Sequence, residues 1–154
     1  MTGRLLPPGR YFYEDIDTGD VIETAALTVT TDHIDRFADL TGDRFEIHMS
    51  EEGAARHGFP KRVAHGLLIL SLVDGLKNQT EAQFAAVASL GWEWKFAAPV
   101  LPGDAIKARM TVTAKRETKR ADRGILTIAF DVVNQDAKTV QSGINTLMVL
   151  RSHS

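Results

Sequence analysis

Asp43 and His48, in "TGDRFEIH", are the two residues of this chain whose types and spacing speak most directly of chemistry. A carboxylate and an imidazole held together can share and orient a proton, and so activate a water molecule, because histidine titrates near neutrality. Asp43 follows a helix-stopping glycine, Gly42, and His48 precedes an N-cap residue, Ser50, so both belong to one loop with its ends fixed by helices. Taken alone, the spacing favours a plainer reading, in which Asp43 caps its loop and His48 satisfies a backbone carbonyl.

His65-Gly66 is the second feature, because it opens the run "HGLLILSLVDGLKNQ". A helix N-terminus presents free N–H groups and partial positive charge. A glycine there lets a ligand approach the backbone closely. A carbonyl oxygen docked on the Gly66 N–H would be polarised, as in an oxyanion hole. The plainer alternative is that Gly66 relieves crowding and His65 packs. Asp43, His48 and His65 lack the H-x-x-x-H or H-x-x-E-H spacing that would support a metal set, so no metal is expected. No strand–turn–helix serine elbow appears. His57, just before Gly58, reads as a surface or subunit-contact residue.

The elements that must position these residues follow from periodicity. "DVIETAALTVT" alternates as a strand, with Val21, Ala25, Leu27 and Val29 on one side. "TTDHIDRFADLTGD" reads as a helix capped by Thr30 or Thr31 and stopped by Gly42, with Ile34, Phe37, Ala38 and Thr41 on one face. Ser50, with Glu51 and Glu52, opens a short helix that Gly58 and Pro60 end. The helix from Gly66 is apolar almost throughout, which predicts burial on most sides, with Ser71, Asp74, Gly75 and Asn78 as its one polar or small face.

Beyond Gln79 the period changes to two. Trp92, Trp94 and Phe96 share a face. Ile106, Ala108, Met110, Val112 and Ala114 alternate with Lys107, Arg109, Thr111, Thr113 and Lys115. Leu126 to Val132 alternates again, "NQDAK" is a turn, and Val140 to Leu150 is the last strand. The sum is an α+β domain: one antiparallel sheet curled around a central buried helix.

Composition narrows the partners. The net charge of −2 and the lack of a basic stripe argue against nucleic acid. The basic stretch "KRETKRADR" carries its own acids and reads as a solvated hairpin end. With no cysteine, disulfides, Cys-based zinc sites and thiol nucleophiles are excluded. No stretch reaches membrane-spanning length. The expectation is a cytoplasmic protein with a flexible N-terminal arm over 1–10 and a single domain over 11–154.

The segment "TGDRFEIHMSEEGAARHGFPKRVAHGLLILSLVDGL" resembles the MaoC-like dehydratases, the (R)-specific enoyl-CoA hydratases. These carry a G-D-x-N-P-x-H segment followed, seventeen residues after its histidine, by an H-G dipeptide that opens the central helix. Asp43, His48 and His65-Gly66 match at that separation, and "FAAPVLPGD" and "DIDTGD" are similar to flanking parts of the family pattern. The resemblance runs from about Tyr11 to Leu150.

It implies a hotdog fold and an acyl-CoA hydro-lyase that hydrates trans-2-enoyl-CoA reversibly to (R)-3-hydroxyacyl-CoA. Asp43 and His48 would be catalytic. Gly66, with His65 beside it, would hold the thioester carbonyl. No cofactor is implied beyond the CoA of the substrate, and a homodimer with the site near the subunit interface is expected. Two residues depart from the pattern: the family's Asn is Phe45 and its Pro is Glu46. Phe45 then closes the pocket or contacts the acyl chain. Asp74 stands where many hydratases place a serine, as a second polar contact or a carboxylate bonded to a neighbouring strand. Lys61, Arg62 and Lys95 are candidates for the CoA phosphates. Two alternatives are a hotdog acyl-CoA thioesterase and a non-catalytic acyl-CoA-binding domain.

Overall fold

The computed structural model of the chain describes residues 3–152. In chain order its elements are β1 (Gly9–Tyr11), a 3-10 turn (Tyr13–Asp15), β2 (Val21–Glu23), β3 (Leu27–Thr28), α1 (Thr31–Thr41), α2 (Glu46–Met49), α3 (Glu51–Arg56), α4 (Gly66–Lys77), β4 (Ala82–Phe84), β5 (Ala86–Phe96), β6 (Ala105–Glu117), β7 (Arg123–Val133) and β8 (Thr139–Leu150). The main sheet is antiparallel, in the order β2-β6-β7-β8-β5, with β3 also on β6. Its concave face is the one the alternation marks: Ile106, Ala108, Met110 and Val112 of β6 with Leu126, Ile128, Phe130 and Val132 of β7, all buried. They close on Leu68, Ile69 and Val73 of α4. This is the hotdog arrangement.

Two inserted residues change which side chains face in. The strand expected as one run from residue 20 is broken into β2 and β3. The pairing Glu23↔Arg109 and Leu27↔Ile106 leaves one residue more on this strand than on β6. Such a bulge reverses the alternation beyond it. Ala25 therefore faces solvent while Val21, Ile22 and Val29 stay buried. Thr24 closes the gap, with its N–H on the Ala108 carbonyl and its hydroxyl accepting the Ala108 N–H, both at 2.9 Å. A second shift, between Val112 and Ala114, turns Ala114 outward. Lys115 turns in instead, donating to the carbonyls of Tyr13 and Ile16 at 2.7 Å across the Tyr13 ring.

The helices are capped as their sequences require. Thr30 accepts the His33 N–H, and Gly42 ends α1 in the left-handed region at φ 79°. Ser50 accepts the Gly53 N–H at 2.9 Å to open α3. The central helix departs from expectation on one side. Leu67 is 59% exposed and Ser71 is exposed, because the sheet of one chain wraps only the opposite face.

The segment expected as a flexible arm over 1–10 makes contacts from Arg4 onward; residues 1 and 2 lie outside the described residues. Leu6 is buried, its N–H donates to Val21 O, Arg4 pairs with the buried Asp20 at 2.8 Å, and β1 runs parallel to β4. The prolines that suggest looseness in fact fix φ and lower the cost of holding this segment down. The basic stretch at 115–123 is the end of the β6–β7 hairpin, where Arg120 pairs with Asp122. Among the described residues no helix is long and apolar enough to cross a membrane.

Candidate active site

The turn between α1 and α2 builds the site. Thr41 accepts the Asp43 N–H through its hydroxyl at 3.1 Å, and the Asp43 carboxylate accepts the Phe45 N–H at 3.2 Å. These two bonds fold residues 41–45 tightly and start α2, which carries His48. The His48 ring is buried, and its Nδ1 lies 2.6 Å from the Val63 carbonyl. A carbonyl can only accept, so Nδ1 carries the proton and Nε2 keeps its lone pair. Burial pushes the His48 pKa below the usual histidine value, and neighbouring His65 adds to the shift. The ring is thus a neutral base.

His65 caps α4 and fastens the loop to it. It is 2% exposed, and its Nε2–H donates to the backbone carbonyl of Asp43 at 2.9 Å. Its ring stacks on His48 at 4.0 Å and is flanked by Phe37 at 4.9 Å. The donor atoms of Asp43, His48 and His65 lie within 4.8 Å of one another. The two imidazole planes, however, are 26° from parallel. Lone pairs lie in their ring planes, and zinc sits about 2.0–2.1 Å from an imidazole nitrogen. Planes tilted this little, with the rings 4.0 Å apart, meet only well beyond that distance, so the rings as placed do not aim both lone pairs at one ion.

An open cavity of about 360 Å³ runs from His48 and Gly66 between Ile47, Val63, Ile69 and Phe96. The Gly66, Leu67 and Leu68 amides of the first turn of α4 have no protein acceptor among the described residues. A Cβ at Gly66 would sit 2.6 Å from the Phe96 ring, so a larger residue there would have to displace that ring.

The structure thus brings Asp43, His48, His65 and Gly66 together. Phe45, 53% exposed, packs against His48 and His57 outside the cavity lining. Glu46 joins α2 to α3 through Arg56 and His57, each at 2.8 Å, which also accounts for His57. The structure does not bring Asp74 to the cavity; its carboxylate meets Lys77 at 3.2 Å, two turns along α4. Arg62 is committed to the His48 carbonyl and Asp35, whereas Lys61 and Lys95 are exposed. One cavity residue has no counterpart among the sequence expectations: Gln141 of β8, 2% exposed, beside Gly66.

A helix gripped by a curled antiparallel sheet, with Asp43 and His48 gathered at the helix N-terminus, defines a hotdog-fold domain. The chain belongs to the MaoC like domain family, whose model matches residues 15–134. It is 38% identical over 117 residues to Protein MaoC of Klebsiella aerogenes, covering 75% of this chain but 34% of that protein, so the chain spans about a third of it. It is 30% identical over 132 residues to the (R)-specific enoyl-CoA hydratase of Rhodospirillum rubrum, covering 84% of this chain and 90% of that one. The crystal structure of the MaoC-like dehydratase from Rhodospirillum rubrum superposes with a TM-score of 0.86 at 29% identity, over 94% of this chain and 99% of that one.

Proposed function

We propose that this chain is a hydro-lyase that adds water to a trans-2-enoyl-CoA and gives the (R)-3-hydroxyacyl-CoA, reversibly, in the cytoplasm. The observation that carries this is that the neutral His48 ring and the free Gly66 amide line the same cavity. The thioester carbonyl docks on the Gly66 N–H. Asp43 and His48 hold one water between the carboxylate and Nε2. The water oxygen bonds to C3, and the C2=C3 electron pair moves toward the thioester oxygen. The resulting enolate-like charge rests on the Gly66 amide at the positive end of α4. The Asp43–His48 pair takes one water proton and gives a proton back to C2 on the same face, so that H and OH are added across the double bond and the pair is regenerated. The reading needs neither metal nor cofactor. The name of the Rhodospirillum rubrum hydratase supports the (R) outcome.

A second copy of the chain belongs to this reading. β5 is an edge strand with Val87 and Leu90 in the open, and such an edge pairs readily with another strand. The CoA arm then runs between subunits, with Lys61 and Lys95 as cations for its phosphates.

The test follows the conjugated ultraviolet absorbance of crotonyl-CoA and released thiol in parallel, and resolves the product on a chiral column. Absorbance falls without thiol and the (R) product appears. Asp43→Asn and His48→Ala each lower the rate by roughly 10²- to 10⁴-fold. Thiol release would instead make the chain a thioesterase, and binding without turnover would make it a carrier of acyl-CoA.

A further inference from the structure

We infer that Gln141 is a positioning residue for the Gly66 amide donor, held in one orientation by Trp94. The inference rests on the hydration reading for its kinetic part and on the bonds alone for the rest. Gln141 reaches in from β8 and is 2% exposed. Its Oε1 accepts the Trp94 indole N–H at 2.7 Å, and its Nε2 donates to the Gly66 carbonyl at 3.0 Å. An indole N–H only donates and a backbone carbonyl only accepts. The amide therefore has one satisfied orientation, with oxygen toward β5 and nitrogen toward α4. Reversing it would break both bonds in a buried place.

The position of these bonds gives them their use. Gly66 is the first residue of α4, and a glycine there lacks the side chain that would otherwise restrict its backbone. The neighbouring wall is the ring of Phe96, itself 58% exposed. The Gln141 bond fixes the first turn of α4 to the sheet across 75 residues of sequence. Trp94 is in turn held against Phe130 in the core at 5.8 Å. A rigid line thus runs from the core through Trp94 and Gln141 to the turn that presents the amide donor. Oxyanion donors act by being in place before charge develops, and a misplacement of about 1 Å costs on the order of 10²-fold in rate.

The experiment compares the full-length chain with Gln141→Leu, Gln141→Glu and Trp94→Phe. Gln141→Glu keeps the shape and the acceptor for Trp94 and, assayed at alkaline pH where the carboxylate is ionised, lacks the donor to Gly66, so it serves if Gln141→Leu folds poorly. The expected result with crotonyl-CoA is a fall in kcat of on the order of 10- to 100-fold for both Gln141 variants. KM stays near the wild-type value at a temperature well below each melting point. Trp94→Phe, which frees the amide to turn over, gives a smaller loss in kcat. A second readout needs no substrate: the backbone amide signal of Gly66 in a ¹⁵N–¹H spectrum moves in both Gln141 variants and in Trp94→Phe. Unchanged kcat in an active enzyme overturns the inference, as does a Gly66 signal that stays put. If the wild-type chain hydrates no enoyl-CoA, the proposed function fails, and the Gly66 signal alone decides for or against Gln141.

Discussion

The imidazoles of His48 and His65 lie stacked 4.0 Å apart, and each has given a different nitrogen to a backbone carbonyl: His48 uses Nδ1 on Val63, His65 uses Nε2 on Asp43. On His48 the remaining nitrogen, Nε2, keeps its lone pair, since burial disfavours the cation.

A pH dependence follows. The His48 pKa lies below its ordinary 6.5 in the folded chain because burial disfavours the cation. Between 6.5 and the folded value, the unfolded chain binds a proton that the native one refuses. The contribution of His48 to stability is therefore fully present above pH 6.5 and declines as the pH falls below it. The base stays active over the same interval. The expected profile of kcat/KM is flat through 6.5, with its acid limb lower, and the His48 ring signals titrate with that limb. An acid limb above 6.5 that His48 follows would show that the Val63 bond and the Asp43 charge, which favour the cation, outweigh burial.

Gly66→Ala sets two effects against each other. Alanine is the better helix former by about 1 kcal/mol. Its methyl would stand 2.6 Å from the Phe96 ring, and overpacking costs about 1–3 kcal/mol. The expected outcome is a lower melting temperature and a large loss of hydration rate. Adding Phe96→Ala should restore most of the melting temperature. Calorimetry of the two single variants and the double checks this, and simple additivity would mean that the ring is not the obstacle.

Ala137 is a site for stabilisation. It sits at φ 60° in the turn joining β7 to β8, where Asn134 and Lys138 are hydrogen-bonded. The left-handed region costs a non-glycine residue roughly 1–2 kcal/mol, part of which glycine returns as unfolded-state entropy. Ala137→Gly is expected to gain about 0.5–1 kcal/mol and to leave activity unchanged. A melting point at or below that of the parent would refute it.

Much of this was legible in the sequence because single residues carried the signal. Thr30, Gly42 and Ser50 mark helix ends by chemistry that nothing distant overrides. The seventeen-residue separation of His48 from His65 was readable, but the stacking of the two rings was not, because it depends on how the loop folds back on α4. The bulges at Thr24 and after Val112 were not legible, since one inserted residue alters which side faces in without altering composition. They sent Ala25 and Ala114 out and Lys115 in. Asp74 fell away from the site because Lys77, one turn on, offers it a nearer partner. Gln141 did leave a trace. Counting back in twos from the buried Val149 and Leu147 gives Asn145, Gly143 and Gln141, so a polar side chain had to face the core and find partners there.

The outer flank of β5 extends along 11 residues beyond the reach of any other strand among those described. Its backbone groups are a template that accepts any extended peptide of suitable length. For a newly made chain this turns the last stage of maturation into a race. On the proposed pairing with a second copy, an identical chain arrives first at high local concentration and seals the template, whereas at low concentration an unfolded stranger has the advantage. Yield on refolding should therefore rise with protein concentration over the dilute range, the reverse of the usual trend for a protein that folds alone.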